Sequence, residues 1–233
     1  MAHPAQLAFF ADVVARFPDR FAGHVLDVGS HDVNGGPHTL IDPARYVGVD
    51  LAPGRNVDVV ADGAMLAFPS GCVDVVMSSE CFEHAPAWET IVAEMIRTLR
   101  PGGLIVSSAA ATGRREHGTT RSDGGVGSPA TVARGQEWYR NRTGRRVRRV
   151  LRRCGVRVRT VHVDRRVADV YVVGVQAPTT RADRSACRAV GQASRRRPGP
   201  NRSPRPWRQR IMLRVGGDVG LARLVTVRAR VCR

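Results

Sequence analysis

The sequence predicts an α/β domain built on a doubly wound, mostly parallel sheet. Three observations predict it. Short Val-rich runs, apolar on both faces, recur through the first 112 residues, as strands of a parallel sheet covered on both sides must. A segment of helical periodicity stands before the first run and another before the fifth. Proline and glycine mark their junctions, giving the repeated β–α–β order of a doubly wound sheet.

Residues 5–17 open the pattern. Leu7, Phe10, Val14 and Phe17 fall at helical spacing, Pro4 suits a first turn, and Pro18 ends it. The runs HVLDVGS (24–30), YVGVDLA (46–52), VDVVADG (57–63) and VDVVMSSE (73–80) are four strands, each passing into a turn. A helix N-terminus is expected to follow Gly29. The segment 86–99 is a helix with Pro86 in its first turn and Trp88, Ile91, Met95 and Leu99 on one face. Pro101, Gly102 and Gly103 stop it, and LIVSSA (104–109) returns as strand five.

After residue 112 the pattern weakens. Residues 111–135 read as a Gly/Ser/Thr-rich loop with one helical turn, and 137–154 as a helix turning Val147, Val150 and Leu151 inward. VRVRTVHV (156–163) alternates as a half-buried strand, and ADVYVVGVQ (168–176) is apolar on both sides. Residues 177–233 carry 15 Arg, 2 acids and many breakers, so the reading is a domain over 1–176 and a low-complexity, poorly ordered basic tail over 177–233.

Composition narrows the setting. No apolar run approaches the roughly 18 residues of a membrane span, and Asp12 interrupts the N-terminal apolar stretch, which argues against a signal peptide. Five cysteines without a CxxC pair argue against a disulfide framework or a zinc site, and a reducing, cytoplasmic compartment is expected. No metal ligand set is expected. The net charge of +17 is uneven: residues 1–112 hold 6 Arg and 13 acids, residues 113–233 hold 31 Arg and 7 acids, and there is no lysine. A surface selected for phosphate would use both cations, so the all-Arg usage is weak evidence for nucleic-acid binding.

The chemistry is expected at the carboxyl ends of the strands, beside the topological switch point. Gly29 ends strand one and lets backbone approach a ligand closely. Asp50 ends strand two, where a carboxylate can accept from both hydroxyls of a ribose. Asp62 and Gly63 end strand three, and Ser78, Ser79 and Glu80 end strand four. His84 and His117 are candidate general bases, since an imidazole titrates near neutrality. Trp138 and Tyr139 are candidates to cap an acceptor pocket.

Taken in order, VLDVGS, YVGVD, VVADGAMLAFPSGCVDVVMSSECFEH and IRTLRPGGLIV resemble the class I S-adenosylmethionine-dependent methyltransferases, in particular the type 11 group. DVGSHDVNGG (27–36) and TGRREHGTTRSDGG (112–125) resemble a bacterial subgroup of it. The resemblance covers about residues 5–176 and rests on four motifs in order. It implies a Rossmann-like fold with S-adenosylmethionine as cofactor. It implies that Gly29 and Ser30 pass under the methionine part, with Asp27 orienting that loop or meeting the amino group. Asp50 holds the ribose, Leu51 packs on the adenine, Asp62 and Gly63 meet its rim, and Ser79 and Glu80 border the sulfonium. One departure stands out: the family's second glycine is His31 here, whose side chain is expected to crowd the cofactor.

The implied activity is methyl transfer to a small-molecule, glycolipid or natural-product acceptor. An RNA-binding protein or RNA methyltransferase using the Arg-rich half is the alternative, and an inactive relative a further one. GSHDVN keeps only the first glycine of a dinucleotide fingerprint, which disfavours a nicotinamide enzyme. Neither the acceptor nor the oligomeric state is legible.

Overall fold

The computed structural model describes residues 3–197. Its strands are β1 (Val25–Val28), β2 (Tyr46–Asp50), β3 (Val59–Val60), β4 (Val73–Ser79), β5 (Leu99–Ala110), β6 (Val156–Asp164) and β7 (Asp169–Gln176). They form one sheet in the order β3-β2-β1-β4-β5-β7-β6. The pairs among β1 to β5 are parallel, while β7 runs antiparallel to both β5 and β6. The chain winds outward from β1 through β2 to β3, then returns to place β4 on the other side of β1. The carboxyl ends of β1 and β4 therefore flank the switch point, where a crevice opens.

The alternation of side chains along each strand feeds two cores. Leu26, Val76 and Ile105 point to one face and meet α3 (Trp88–Thr98) and α6 (Gly144–Arg153) through Trp88, Ile91, Met95, Val147, Val150 and Leu151. Val25, Val75, Met77, Leu104 and Val106 point to the other face. There they meet α1 (Pro4–Arg16), α2 (Pro18–Phe21) and α7 (Arg181–Arg196) through Phe9, Phe10, Val13, Phe21, Cys187 and Val190. Phe9 stacks on Tyr171 of β7 with ring centroids 4.7 Å apart. Two short helices, α4 (Thr120–Asp123) and α5 (Pro129–Ala133), lie in the connection after β5.

The order of the strands and the inward Trp88, Ile91, Met95, Val147, Val150 and Leu151 agree with the sequence expectation, but β3 is only Val59–Val60, α3 starts at Trp88 beyond Pro86, and Leu99 opens β5 instead of lying on the helix; four further readings change. No α-helix follows Gly29. Gly35 takes φ +88°, and Pro37 and Pro43 open two separate 3₁₀ turns, Pro37–Leu40 and Pro43–Arg45, because each proline starts a turn but cannot continue one. In α1 the buried set is Gln6, Phe9, Phe10 and Val13, a stripe that leaves Leu7 and Val14 only partly covered. The helix expected over 137–154 begins only at Gly144, where Thr143 caps it by accepting from the Arg146 amide at 3.3 Å.

The fourth change is the domain boundary. Residues 181–196 are not tail but a helix packed on the sheet. Thr180 and Asp183 form a reciprocal capping box: the Asp183 amide donates to Thr180 Oγ1 at 3.0 Å, and the Thr180 amide donates to Asp183 Oδ2 at 2.7 Å. Cys187, Val190 and Gly191 then share the buried face. The arginines are compatible with a helix because they lie on its other side. The rest of the expected tail, 198–233, falls outside the described residues.

Candidate active site

The carboxyl ends of β1 to β4 enclose a cavity of about 520 Å³. All nine residues singled out for cofactor binding line it: Asp27, Gly29, Ser30, Asp50, Leu51, Asp62, Gly63, Ser79 and Glu80. His84 and Trp138 line it as well, while His117 stands behind His84 and does not.

The floor is the turn after β1. The amides of Gly29 and Ser30 both donate to the Val49 carbonyl, at 2.8 and 3.1 Å. Gly29 holds φ +81°, and a Cβ built on it would stand 2.5 Å from Cys81 Cβ, so glycine is required twice over. Beneath the turn, Tyr46 donates to Asp27 Oδ2 at 2.7 Å, and Asn56 donates to Tyr46 Oη at 2.6 Å and to the Ser30 carbonyl at 3.0 Å. Burial raises the Asp27 carboxyl to about 7; the Tyr46 bond opposes that, and the Asp50 charge adds to it. Asp27 Oδ1 and Ser30 Oγ are buried without a partner. Neither Tyr46 nor Asn56 is legible as a site residue from sequence, since their roles depend on the register that sets Val25 against Tyr46.

The rim is set by β2 and β3. Asp50 accepts the His31 amide on Oδ2 at 3.1 Å and the Leu51 amide on Oδ1 at 2.7 Å. Its carboxylate is thereby fixed at the cavity edge with lone pairs to spare. Asp62 is exposed and accepts the Ala64 amide at 2.8 Å. The His31 ring turns toward the loop before β3, since a Cβ on Gly54 would come within 2.4 Å of its Nε2. Arg134, in the long connection after β5, reaches across to donate to the Leu51 carbonyl.

The far wall is polar and buried. Gln6 of α1 donates to Ser79 Oγ at 2.8 Å and to Ser108 Oγ at 2.7 Å. Ser108 donates to Glu80 Oε1 at 3.2 Å. Burial and the Glu83 and Asp169 charges hold the Glu80 carboxyl well above the usual range, and Arg114, 3.8 Å from its Oε2, opposes them.

Beyond Glu80 a 3₁₀ turn, Phe82–His84, carries Glu83 and His84. Arg142 fixes this turn: its guanidinium donates to the Phe82 carbonyl, Nε at 2.9 Å, and to the Ala85 carbonyl at 3.0 Å, and it lies 5.0 Å over the Trp88 ring. It is a positioning residue that the expected 137–154 helix concealed. Burial drives the His84 imidazole down to about 4. The rings of His84, His117 and Tyr139 pack edge to face, with centroids 5.0–5.5 Å apart. Sequence reading names both histidines as candidate bases; the structure packs them against each other and leaves only His84 on the cavity.

Comparison with known proteins gives a consistent frame. Residues 26–107 match the family model described as a methyltransferase domain. An uncharacterized methyltransferase of Mycobacterium avium is 34% identical over 152 residues, covering 54% of this chain and 60% of the relative. The chain therefore spans under two thirds of that relative's length. A solved S-adenosylmethionine dependent methyltransferase from Mesorhizobium loti is similar in fold, with a TM-score of 0.51 at 17% identity, covering 72% of this chain and 98% of that one. Haemonchus contortus phosphoethanolamine N-methyltransferase 2, solved in complex with S-adenosyl-L-methionine, has a TM-score of 0.52 at 14% identity, covering 72% and 52%.

Proposed function

We propose, for a chain whose residues 26–107 are a methyltransferase domain, that it transfers the methyl group of S-adenosylmethionine to a small-molecule acceptor. The observation that carries the reading is convergence: nine residues from four separate strand ends meet around one cavity. The cavity's chemistry fits the cofactor. Asp27 Oδ1 and Ser30 Oγ are buried polar atoms without a protein partner, and such atoms need a ligand or water. Asp50 offers spare lone pairs to a pair of hydroxyls, and apolar Leu51 stands beside it.

S-adenosylmethionine supplies a methyl group already activated on a positively charged sulfur. The protein's task is to bind, orient and exclude water. Asp27 and Ser30 would hold the amino-acid end, Asp50 the ribose, and Leu51, Asp62 and Gly63 the base. Ser79 and Glu80, tied to Gln6 and Ser108, would fix the wall beside the reacting centre. Glu80, whose carboxyl burial and its acidic neighbours hold above the usual range, would favour a cation brought beside it. The acceptor would enter past His84 and Trp138.

Calorimetry with S-adenosylhomocysteine tests this. The wild-type protein should bind it, and Asp50→Ala should weaken binding at least about tenfold, because hydrogen bonds to a carboxylate contribute about 1.5–3 kcal/mol each. A wild type that binds none, or a variant that binds equally well, would remove the assignment.

A second reading has one specific support. Arg145, Arg148, Arg149, Arg152 and Arg153 project from the outer face of α6 into solvent, a basic stripe able to meet phosphates. An RNA acceptor would show itself as RNA affinity that falls steeply with salt and is lost when these arginines become Gln.

A further inference from the structure

Three buried polar atoms without partners gather behind the cavity wall. Glu83 Oε2, His84 Nδ1 and His117 Nε2 are all inaccessible and unbonded. Glu83 and His84 come from the 3₁₀ turn after β4, and His117 from the connection after β5. One ligand atom from each lies within 4.8 Å of the other two, and His117 Nε2 stands 3.7 Å from Glu83 Oε1. We propose that Glu83, His84 and His117 bind one divalent transition-metal ion of the zinc type.

The donor set suits such an ion. Two imidazoles and a carboxylate are the ligands of Zn²⁺, Co²⁺ or Fe²⁺, and three protein ligands leave a position open. Ligand atoms about 2.0–2.2 Å from an ion stand about 3–3.5 Å apart. Closing the site therefore takes a contraction of about 1–2 Å, which the His117 connection can supply. The outer contacts are also those a ligand needs. His117 Nδ1 lies 3.2 Å from the Arg115 carbonyl, which leaves Nε2 as the lone pair when Nδ1 carries the hydrogen. Glu83 Oε1 accepts the Ala110 amide at 3.0 Å, leaving Oε2 free to turn.

Electrostatics point the same way. Burial lowers both imidazoles below their ordinary value, so both present neutral lone pairs at pH 7. The Glu80 and Glu83 charges repel in the apo site, and a dication would relieve that. Arg114 and Arg142 face the same carboxylates and act against the ion, but Arg142 is already bound to the Phe82 and Ala85 carbonyls. His84 lines the methyl-transfer cavity, so an oxygen ligand entering there can reach the open position. The ion site itself stands without the methyl-transfer reading. It runs against the sequence expectation of no metal because that expectation weighed cysteine pairs, and no cysteine takes part.

The test is Co²⁺ titration of the metal-stripped full chain without cofactor, followed by visible absorption and equilibrium dialysis. One Co²⁺ per chain is expected, with affinity reduced at least tenfold in both Glu83→Gln and His117→Ala. Glu83 is fully buried, so its variant can unfold; His117 sits in a connecting segment, and its variant, checked by circular dichroism, decides the matter alone. Three results would overturn the site: no Co²⁺ bound by the wild type, binding that survives His117→Ala, or a thiolate-to-cobalt charge-transfer band.

Discussion

Tyr46 donates its hydroxyl to Asp27 Oδ2 at 2.7 Å, tying the end of β1 to the start of β2 directly below the glycine turn. Asn56 extends the tie to the Ser30 carbonyl at 3.0 Å, so three segments of the cavity floor hang on one polar chain. Because the network is buried, its weakest point is the carboxyl that burial raises to about 7.

That shift makes stability depend on pH. In the unfolded chain Asp27 ionises near its ordinary value of 3.8; in the folded chain it keeps its proton to about 7. The stabilisation from the neutral carboxyl is therefore complete below about pH 4 and is lost as pH rises to 7. Asp27→Asn keeps an acceptor for Tyr46 and removes the titration. Urea unfolding from pH 4.5 to 8 should show the wild type losing about 3 kcal/mol relative to the variant, at about 1.36 kcal/mol per pKa unit. Parallel curves would mean that Asp27 is charged throughout.

How far the sequence foretells this molecule depends on whether the cause is local. The strands are legible because Val75-Val76 or Leu104-Ile105-Val106 must be apolar on both faces, and that leaves a run in the chain. The cavity residues are legible because they terminate those strands. Helix α7 is not, because only Cys187 and Val190 anchor it among many arginines, and composition outweighs the Thr180–Asp183 box that marked its start. The missing helix after Gly29 reflects competition between turn formers and a fold habit. The meeting of Glu83, His84 and His117 is the most hidden, since it depends on a long connection without periodicity folding back onto the β4 turn.

The glycine turn can be tested with one methyl group. Gly29→Ala meets a positive φ and a Cys81 Cβ at 2.5 Å, so it should cost at least about 2 kcal/mol and abolish S-adenosylhomocysteine binding. Adding Cys81→Gly removes the clash but not the backbone strain. The double variant should recover part of the stability in thermal unfolding. Full recovery would assign the whole effect to the contact, and no recovery would assign it to φ.

His31 tests the sequence expectation of crowding. That expectation has His31→Gly tightening cofactor binding. The structure instead sets the ring against Gly54, while its amide donates to Asp50 at 3.1 Å. Removing the side chain should free the loop that presents Asp50 and weaken S-adenosylhomocysteine binding by a few-fold or more in calorimetry. Tighter binding would restore the crowding view.

The new domain boundary is the most direct test of the fold. A domain ending at residue 176 would leave a chain truncated after Pro178 fully stable. With α7 in place, that truncation strips Cys187 and Val190 from a core that also holds Phe10, Val173 and Val175. It also removes Arg197, which donates to the Ala5 carbonyl at 3.0 Å and the Ala8 carbonyl at 2.9 Å and pairs with Asp12, pinning the end of α7 to α1. Burial of one such side chain contributes about 1.5–3 kcal/mol. The loss should therefore reach several kcal/mol, a large part of what a domain of this size has. A chain ending at Arg197 keeps all of these contacts. Differential scanning calorimetry should find the 1–197 chain melting several degrees or more above the 1–178 chain, with the shorter one prone to aggregate through its bared apolar face. Equal melting temperatures would show α7 to be dispensable and return the boundary to residue 176.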